Sequence, residues 1–232
     1  MLAVDTAGER CTLALAHLGR IVARSGLPGQ THLEHVLPMI ETLLRDAGLQ
    51  PCDCAAFAFG SGPGSFTGLR VACTLVQGLA LGAGRPVVAV GHLEALPHAA
   101  YAAGAADGTR VLALLDARMD EAYWAVYESV GGAWTPLAAP VVGGRGALRE
   151  AIDQWQPQSC VGNLDWIRGY IGDGAPAPRG ATVDAEGIVR LAGQRLAQGG
   201  GVAAAQALPL YVRDRVAQTV AQRRATRAGA PD

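Results

Sequence analysis

The chain opens on a short apolar run, Leu2, Ala3 and Val4, that stops at a carboxylate, Asp5. A run of this length bounded by a polar turn predicts a buried strand. Residues 11–16 predict a second strand, and Gly19 turns the chain into a third over 21–25. After a loop at 26–30 the period changes. Leu33, Val36, Leu37, Ile40, Leu43, Leu44 and Ala47 recur at helical spacing, and Gly48 ends the pattern. Thr31-His32-Leu33-Glu34 has the form of a capping box, a hydroxyl followed three residues later by a carboxylate. The spacing predicts a helix over 31–47, kinked or shortened at Pro38. A buried strand over 55–59, a glycine-rich loop over 60–65, a helix of small residues over 66–82, a strand over 86–90 and a helix over 94–103 complete the first half. Strands alternating with helices argue an α/β layer arrangement.

The second half starts over. An apolar strand at 112–115 ends at Asp116, a second strand covers 122–127, and Gly131-Gly132 turns into a third at 134–138. From Asp5 to the second strand at Cys11 is six residues, and from Asp116 to Ala122 is again six. A strand–Asp–turn–hairpin unit used twice predicts an internal duplication. Helices are predicted at 145–154, 164–171 and 185–198. The expected division is an N-terminal subdomain over 1–105, a C-terminal subdomain over 106–222, and a frayed, polar end at 223–232.

Composition narrows the chemistry. Half of the 232 residues are apolar, enough for a substantial core, and the net charge of −1 sets up no strong field toward nucleic acid or a membrane. There is no lysine, which excludes Schiff-base chemistry and a P-loop lysine. The start of the chain has no basic n-region followed by a long apolar stretch, so no signal peptide is expected. The most apolar stretch, 71–90, is broken by Gln77, Gly78, Gly82, Gly84, Arg85 and Pro86, and predicts a helix, turn and strand in place of a membrane span. Five cysteines without zinc or redox spacing fit a reducing cytosol, with Cys11, Cys73 and Cys160 as small buried groups.

Two facing strand–Asp–hairpin units are how actin, Hsp70 and sugar-kinase-like (ASKHA) proteins hold a nucleotide. Their turns cradle phosphate with backbone N–H groups, which needs glycine, and their acidic residue holds the metal. Here the first turn, Asp5-Thr6-Ala7-Gly8-Glu9-Arg10, has one glycine and an added carboxylate; the second, Asp116-Ala117-Arg118-Met119-Asp120-Glu121, has no glycine and three carboxylates. Asp5, Thr6 and Asp116 are therefore read as vestiges of phosphate turns, and no cofactor is expected in the isolated chain. The loop 60–68 matches neither G-x-G-x-x-G nor a G-x-S-x-G elbow, because Pro63 stands where the latter needs glycine. It reads as a tight strand-to-helix connection capped by Ser65 or Thr67. His32 and His35 share a helix face but lack a third metal ligand, so no metal site is expected. The Arg-rich end (Arg213, Arg215, Arg223, Arg224, Arg227) reads as a solvated tail, with contact to RNA phosphate as the weaker reading.

The run Gly62-Pro63-Gly64-Ser65-Phe66-Thr67-Gly68-Leu69-Arg70 resembles the hallmark of the TsaB (YeaZ-type) family, and 115–124 resembles its second-half turn. Residues 2–6, His32 through Pro38, and 209–213 also fit. The resemblance implies an ASKHA fold of two duplicated subdomains with mixed sheets and flanking helices. It implies a non-catalytic cytoplasmic subunit in the formation of threonylcarbamoyladenosine at position 37 of ANN-decoding tRNAs. The implied partners are TsaD, the related catalytic subunit, and the ATPase TsaE, with a homodimer when alone and tRNA met mainly through the complex. The partner-facing candidates, taken from this resemblance and the apolar width of the two helices, are His32, Val36, Met39, Ile40 and Leu43 on the first and Arg70, Val71 and Thr74 on the second. The alternatives are an active ASKHA phosphotransferase and a hydrolase or protease.

Overall fold

A computed structural model describes residues 1–27, 32–172 and 176–213, without the side chains of 32–34. The expected Thr31 cap and the end at 223–232 lie outside the described residues.

Two mixed sheets carry the fold. In the first, β1 (Leu2–Asp5) pairs antiparallel with β2 (Thr12–His17), which pairs antiparallel with β3 (Arg20–Ser25); on its other side β1 runs parallel to β4 (Phe57–Gly62), and β4 to β5 (Val87–Gly91). The order is β3-β2-β1-β4-β5. In the second sheet β6 (Arg110–Arg118) pairs antiparallel with β7 (Glu121–Val130), and β7 with β8 (Ala133–Pro136). A short strand β9 (Val141–Gly144) also pairs with β7, while β6 runs parallel to β10 (Ser159–Gly162) and β10 to β11 (Ala177–Gly180). The order β8-β7-β6-β10-β11 repeats that of the first sheet strand for strand and direction for direction. The duplication expected from the two Asp-ended strands thus extends to the topology of both sheets.

The helices cover these sheets by strand alternation. On the first sheet Leu2, Val4, Leu13, Leu15, Phe57 and Phe59 face α1 (His32–Asp46) and α2 (Phe66–Ala83), while Ala3, Ala14 and Ala58 face the other way. Those alanines let α6 (Ala185–Ala197) lie close, through Ile188, Val189 and Ala192. In the second sheet Leu112, Leu114, Trp124 and Val126 face α4 (Arg145–Trp155) and α5 (Leu164–Ile171), and Val111, Ala113, Ala125 and Tyr127 face α3 (His92–Ala100). The exchange is reciprocal: α3 follows the first sheet but packs on the second, and α6 follows the second but packs on the first. Arg195 of α6 ties the pair together by bonding Glu94 and the Ala89 carbonyl. Beyond α6, Val202 bridges to Val87, and Ala207 joins the core under α2.

Local rules account for most ends. The Ser65 hydroxyl accepts from the Gly68 N–H at the start of α2, and Gly84, at φ 63°, closes its C-terminus. Asn163 and Asp184 cap α5 and α6 in the same way. α1 runs through Pro38 without ending, and β4 extends to Gly62, taking the first three residues of the expected loop into the sheet.

Candidate functional site

The first turn is closed by its own chain. Asp5 is 3% exposed and Thr6 is fully buried. The Asp5 Oδ1 accepts the Ala7 N–H (3.0 Å) and lies 3.1 Å from His92 Nε2. The Gly62 N–H donates to His92 Nδ1 (3.0 Å), which assigns the proton of the neutral imidazole to Nε2. Burial works against the imidazolium and the Asp5 carboxylate works for it; the His92 pKa lies above its ordinary value. The Thr6 hydroxyl donates to the Gly68 carbonyl (2.6 Å), and the Ser65 N–H to the Ala7 carbonyl (3.1 Å).

The glycines of the hallmark loop serve this closure. A Cβ on Gly68 would overlap the Thr6 carbonyl, one on Gly64 would stand 2.8 Å from the Ala7 methyl, and one on Gly60 would stand 2.6–2.8 Å from His92 and Asp5. The loop therefore packs directly on the first turn, backbone against backbone. Ser65 is the helix cap, and no hydrogen bond among the described residues joins it or any cysteine to His92. Burial, with the Asp5 carboxylate adding to it, pushes the Cys11 thiol up to about 11. His92 was not singled out from the sequence; its partner Asp5 is 87 residues away.

The second turn is held by arginines. Arg118, Met119 and Asp120 all have φ of 54–63°, a left-handed run without glycine. The exposed Asp116 accepts the Arg118 N–H (2.7 Å) and pairs with its guanidinium (3.2 Å). Arg145 bonds the Asp120 carboxylate and the Tyr170 carbonyl, while the Tyr170 hydroxyl donates to the Asp120 carbonyl. Arg213 donates to the Ala117 carbonyl (2.9 Å) and pairs with Glu121 (2.7 Å). The solvated-tail reading is thus corrected at Arg213, whose side chain is largely buried because it satisfies the turn's carbonyl and carboxylate; Arg215, Arg223, Arg224 and Arg227 lie outside the described residues. Among the described residues no three His, Cys, Asp or Glu side chains are placed to hold a metal ion.

The partner-facing candidates divide. Val36, Ile40 and Leu43 are 1–2% exposed and belong to the core between α1 and the first sheet. They are corrected from interface to core: the stripe 36, 40, 43, 44 is the face α1 needs for its own sheet. Met39 is half-buried at the edge of that core, Leu37 is exposed, and the His32 side chain lies outside the described residues. On α2, Leu69, Ala72, Cys73, Val76 and Ala80 are buried, Val71 is half-buried, and Arg70, Thr74, Gly78 and Leu81 are exposed. α2 is the one helix among the described residues long and apolar enough to cross a bilayer, yet its buried stripe packs on the first sheet. Gly78 and Gly82 would tolerate a Cβ with nothing within 4 Å, so no contact inside the chain requires them. At one end of this face Arg70 lies 3.8 Å over the Phe66 ring and donates to the Tyr211 hydroxyl.

Comparison with known proteins identifies the family and the fold. A family model described as "TsaD: tRNA N6-adenosine threonylcarbamoyltransferase" matches residues 27–150, just over half of the chain. The Escherichia coli K12 tRNA threonylcarbamoyladenosine biosynthesis protein TsaB is 35% identical over 94% of this chain and 96% of its own. The Haemophilus influenzae protein of the same name is 43% identical over 53% of this chain and 52% of its own. Among solved structures, a Pseudomonas aeruginosa protein described as uncharacterized with similarity to peptidase YEAZ superposes with a TM-score of 0.79 at 36% identity, covering 91% of this chain and 98% of that one. YeaZ from Pseudomonas aeruginosa superposes with a TM-score of 0.74 at 34% identity, covering 90% and 98%. The chain has the α/β, ASKHA-like fold of these neighbours, and it belongs to the TsaB (YeaZ-type) family of tRNA threonylcarbamoyladenosine biosynthesis proteins.

Proposed function

We propose that this chain is a non-catalytic subunit of the tRNA threonylcarbamoyladenosine machinery, acting with TsaD and TsaE and pairing with itself when alone. The observation that carries the reading is the closure of the first turn. Asp5 and Thr6 are sealed under the chain's own glycine loop, which removes the metal- and phosphate-holding role that such a turn has in an active ASKHA enzyme. The same closure disfavours the phosphotransferase alternative. Against the hydrolase alternative, no nucleophile is bonded to a His base among the described residues: Ser65 caps α2 and His92 is committed to Asp5 and Gly62.

The outward side of α1 and α2 is exposed at Leu37, Thr74, Gly78 and Leu81. Glycine inside a helix costs about 0.5–1 kcal/mol relative to alanine, and neither Gly78 nor Gly82 recovers that inside the chain. A second pair of helices laid against Thr74, Gly78 and Leu81 would use their absence of side chains for close approach. The partner takes this face, and TsaD supplies the nucleotide site and the transfer chemistry. Calorimetric titration of the purified chain with Mg-ATP tests the reading: no tight stoichiometric isotherm is expected, and one would contradict it.

A further inference from the structure

At the far edge of the second sheet, a surface cleft of about 520 Å³ opens between the end of α3, the segment 104–109 and the edge strand β11. Its volume lies in the range of small-ligand sites, about 300–1,000 Å³. Arg179 of β11 lines it with its guanidinium carbon 4.4 Å above the centre of the Tyr101 ring. The guanidinium has no carboxylate and no hydrogen-bond acceptor among the described residues. This contrasts with Arg110, Arg118, Arg145, Arg190, Arg195 and Arg213, which all pair with carboxylates.

The ring beneath is fixed. The Tyr101 hydroxyl is hydrogen-bonded to the Oγ of the buried Ser159 (2.7 Å), and Trp134 packs against the ring at 5.3 Å between centroids. Stacking thus orders the plane of a cation while using none of its five N–H donors. The main-chain N–H groups of Ala105, Ala106 and Asp107, in the segment lining the cleft, make no hydrogen bond within the described residues. Asp107, the one carboxylate there, already accepts the Gly131 N–H at Oδ1 (2.9 Å).

We infer that this cleft binds a nucleoside phosphate. The planar guanidinium on its aromatic platform offers a stacking surface for a base. Its unused donors suit the two oxygens of a phosphate. The source would be a free mononucleotide or a nucleotide of the tRNA; the choice of tRNA as probe rests on the proposed function, whereas the cleft does not.

The test is binding of fluorescein-labelled total tRNA to the isolated chain by anisotropy, with AMP and inorganic phosphate as competitors. The parent chain should bind tRNA at 50 mM salt, and AMP should displace it more effectively than phosphate. Displacement by AMP identifies the nucleotide itself as the ligand, and binding of tRNA that AMP cannot displace assigns the cleft to the RNA strand. Arg179→Ala should weaken tRNA binding at least fivefold and reduce the slope of log affinity against log salt by about 0.7–0.9, one phosphate contact. Arg179→Lys should restore the slope but not the full affinity, since lysine keeps the charge and loses the stacked plane. Unchanged affinity in Arg179→Ala, or displacement of the tRNA by phosphate as effectively as by AMP, would overturn the inference, as would binding of neither tRNA nor fluorescein-labelled AMP by the parent. Arg179→Ala should still bind TsaD at parental strength. A chain that binds tRNA through Arg179 yet fails to support the modification with TsaD and TsaE would leave the cleft standing and sink the proposed function.

Discussion

The first turn turns on single atoms. Gly68 abuts the Thr6 carbonyl so closely that a methyl group has nowhere to go, while Gly78, ten residues further along the same helix, faces open space. Gly68→Ala should destabilise the protein by about 3 kcal/mol or more, the upper range of overpacking, because backbone must move. Gly78→Ala should stabilise it by about 0.5–1 kcal/mol. Urea unfolding of the two variants checks this, and equal effects would mean the loop does not seal the turn. The thiols make a second residue-scale case. Burial holds Cys11 at about 11 and Cys160 at about 12, and raises Cys54 and Cys73, while Cys52 is exposed. The thiolate is the reactive form, so iodoacetamide at pH 8 should label Cys52 alone of the five in the native protein. Mass spectrometry finding Cys11 or Cys160 labelled at a comparable rate would contradict the packing. At this scale the sequence was informative where the residue signals to its neighbours, as in the Ser65 cap. It was silent on His92, because nothing near Gly91 announces a carboxylate 87 positions away.

Among elements, the helices were legible and the four-residue strands β9, β10 and β11 of the second sheet were not. α5 falls on the predicted 164–171, and α4 and α6 end within a residue of expectation; apolar spacing marks all three, and a capping side chain adds to it at α5 and α6. β9, β10 and β11 were missed: their sequences VVGG, SCVG and APRG are four residues long and rich in Gly or Pro. Such segments become strands only because neighbours pair with them, and Pro178 is tolerated because β11 is an edge. The α1 stripe was visible but its direction was not, since periodicity gives a face without saying what lies against it. Substitutions that probe the proposed interface therefore belong on the exposed positions of α2. Thr74→Glu or Gly78→Glu should leave the melting temperature within a few degrees of the parent and weaken self-association and TsaD binding on the order of a hundredfold, the effect of an unpaired carboxylate desolvated at an interface. Val36→Glu should instead unfold the chain, because the same charge would enter its core. Light scattering beside thermal melting separates the two; Gly78→Glu associating like the parent would put the interface elsewhere.

At the scale of the molecule, the repeated unit seen as two Asp-ended strands extends to matching five-strand orders and to the exchange of α3 and α6 between the sheets. The exchange was not legible, because the amphipathic pattern of a helix does not name its sheet. It has a consequence for the two halves: without α6 the inner face at Ala3, Ala14, Ala58, Val88 and Val90 is uncovered, and Ala207 leaves the core under α2. A fragment of residues 1–105 should therefore fail to give a cooperative melt, and a sharp transition near that of the full chain would show that the halves stand alone.

In the proposed function, an ASKHA fold has closed its nucleotide turn and kept a helical face for a partner that does the chemistry. Nucleoside mass spectrometry of unmodified tRNA, incubated with threonylcarbamoyl-adenylate, ATP and combinations of this chain, TsaD and TsaE, tests it most directly. No threonylcarbamoyladenosine is expected from this chain alone, full product when all three proteins are present, and loss of most of that product when Gly78→Glu replaces the parent. Product formed by this chain with the adenylate alone, or undiminished product with Gly78→Glu, would contradict it.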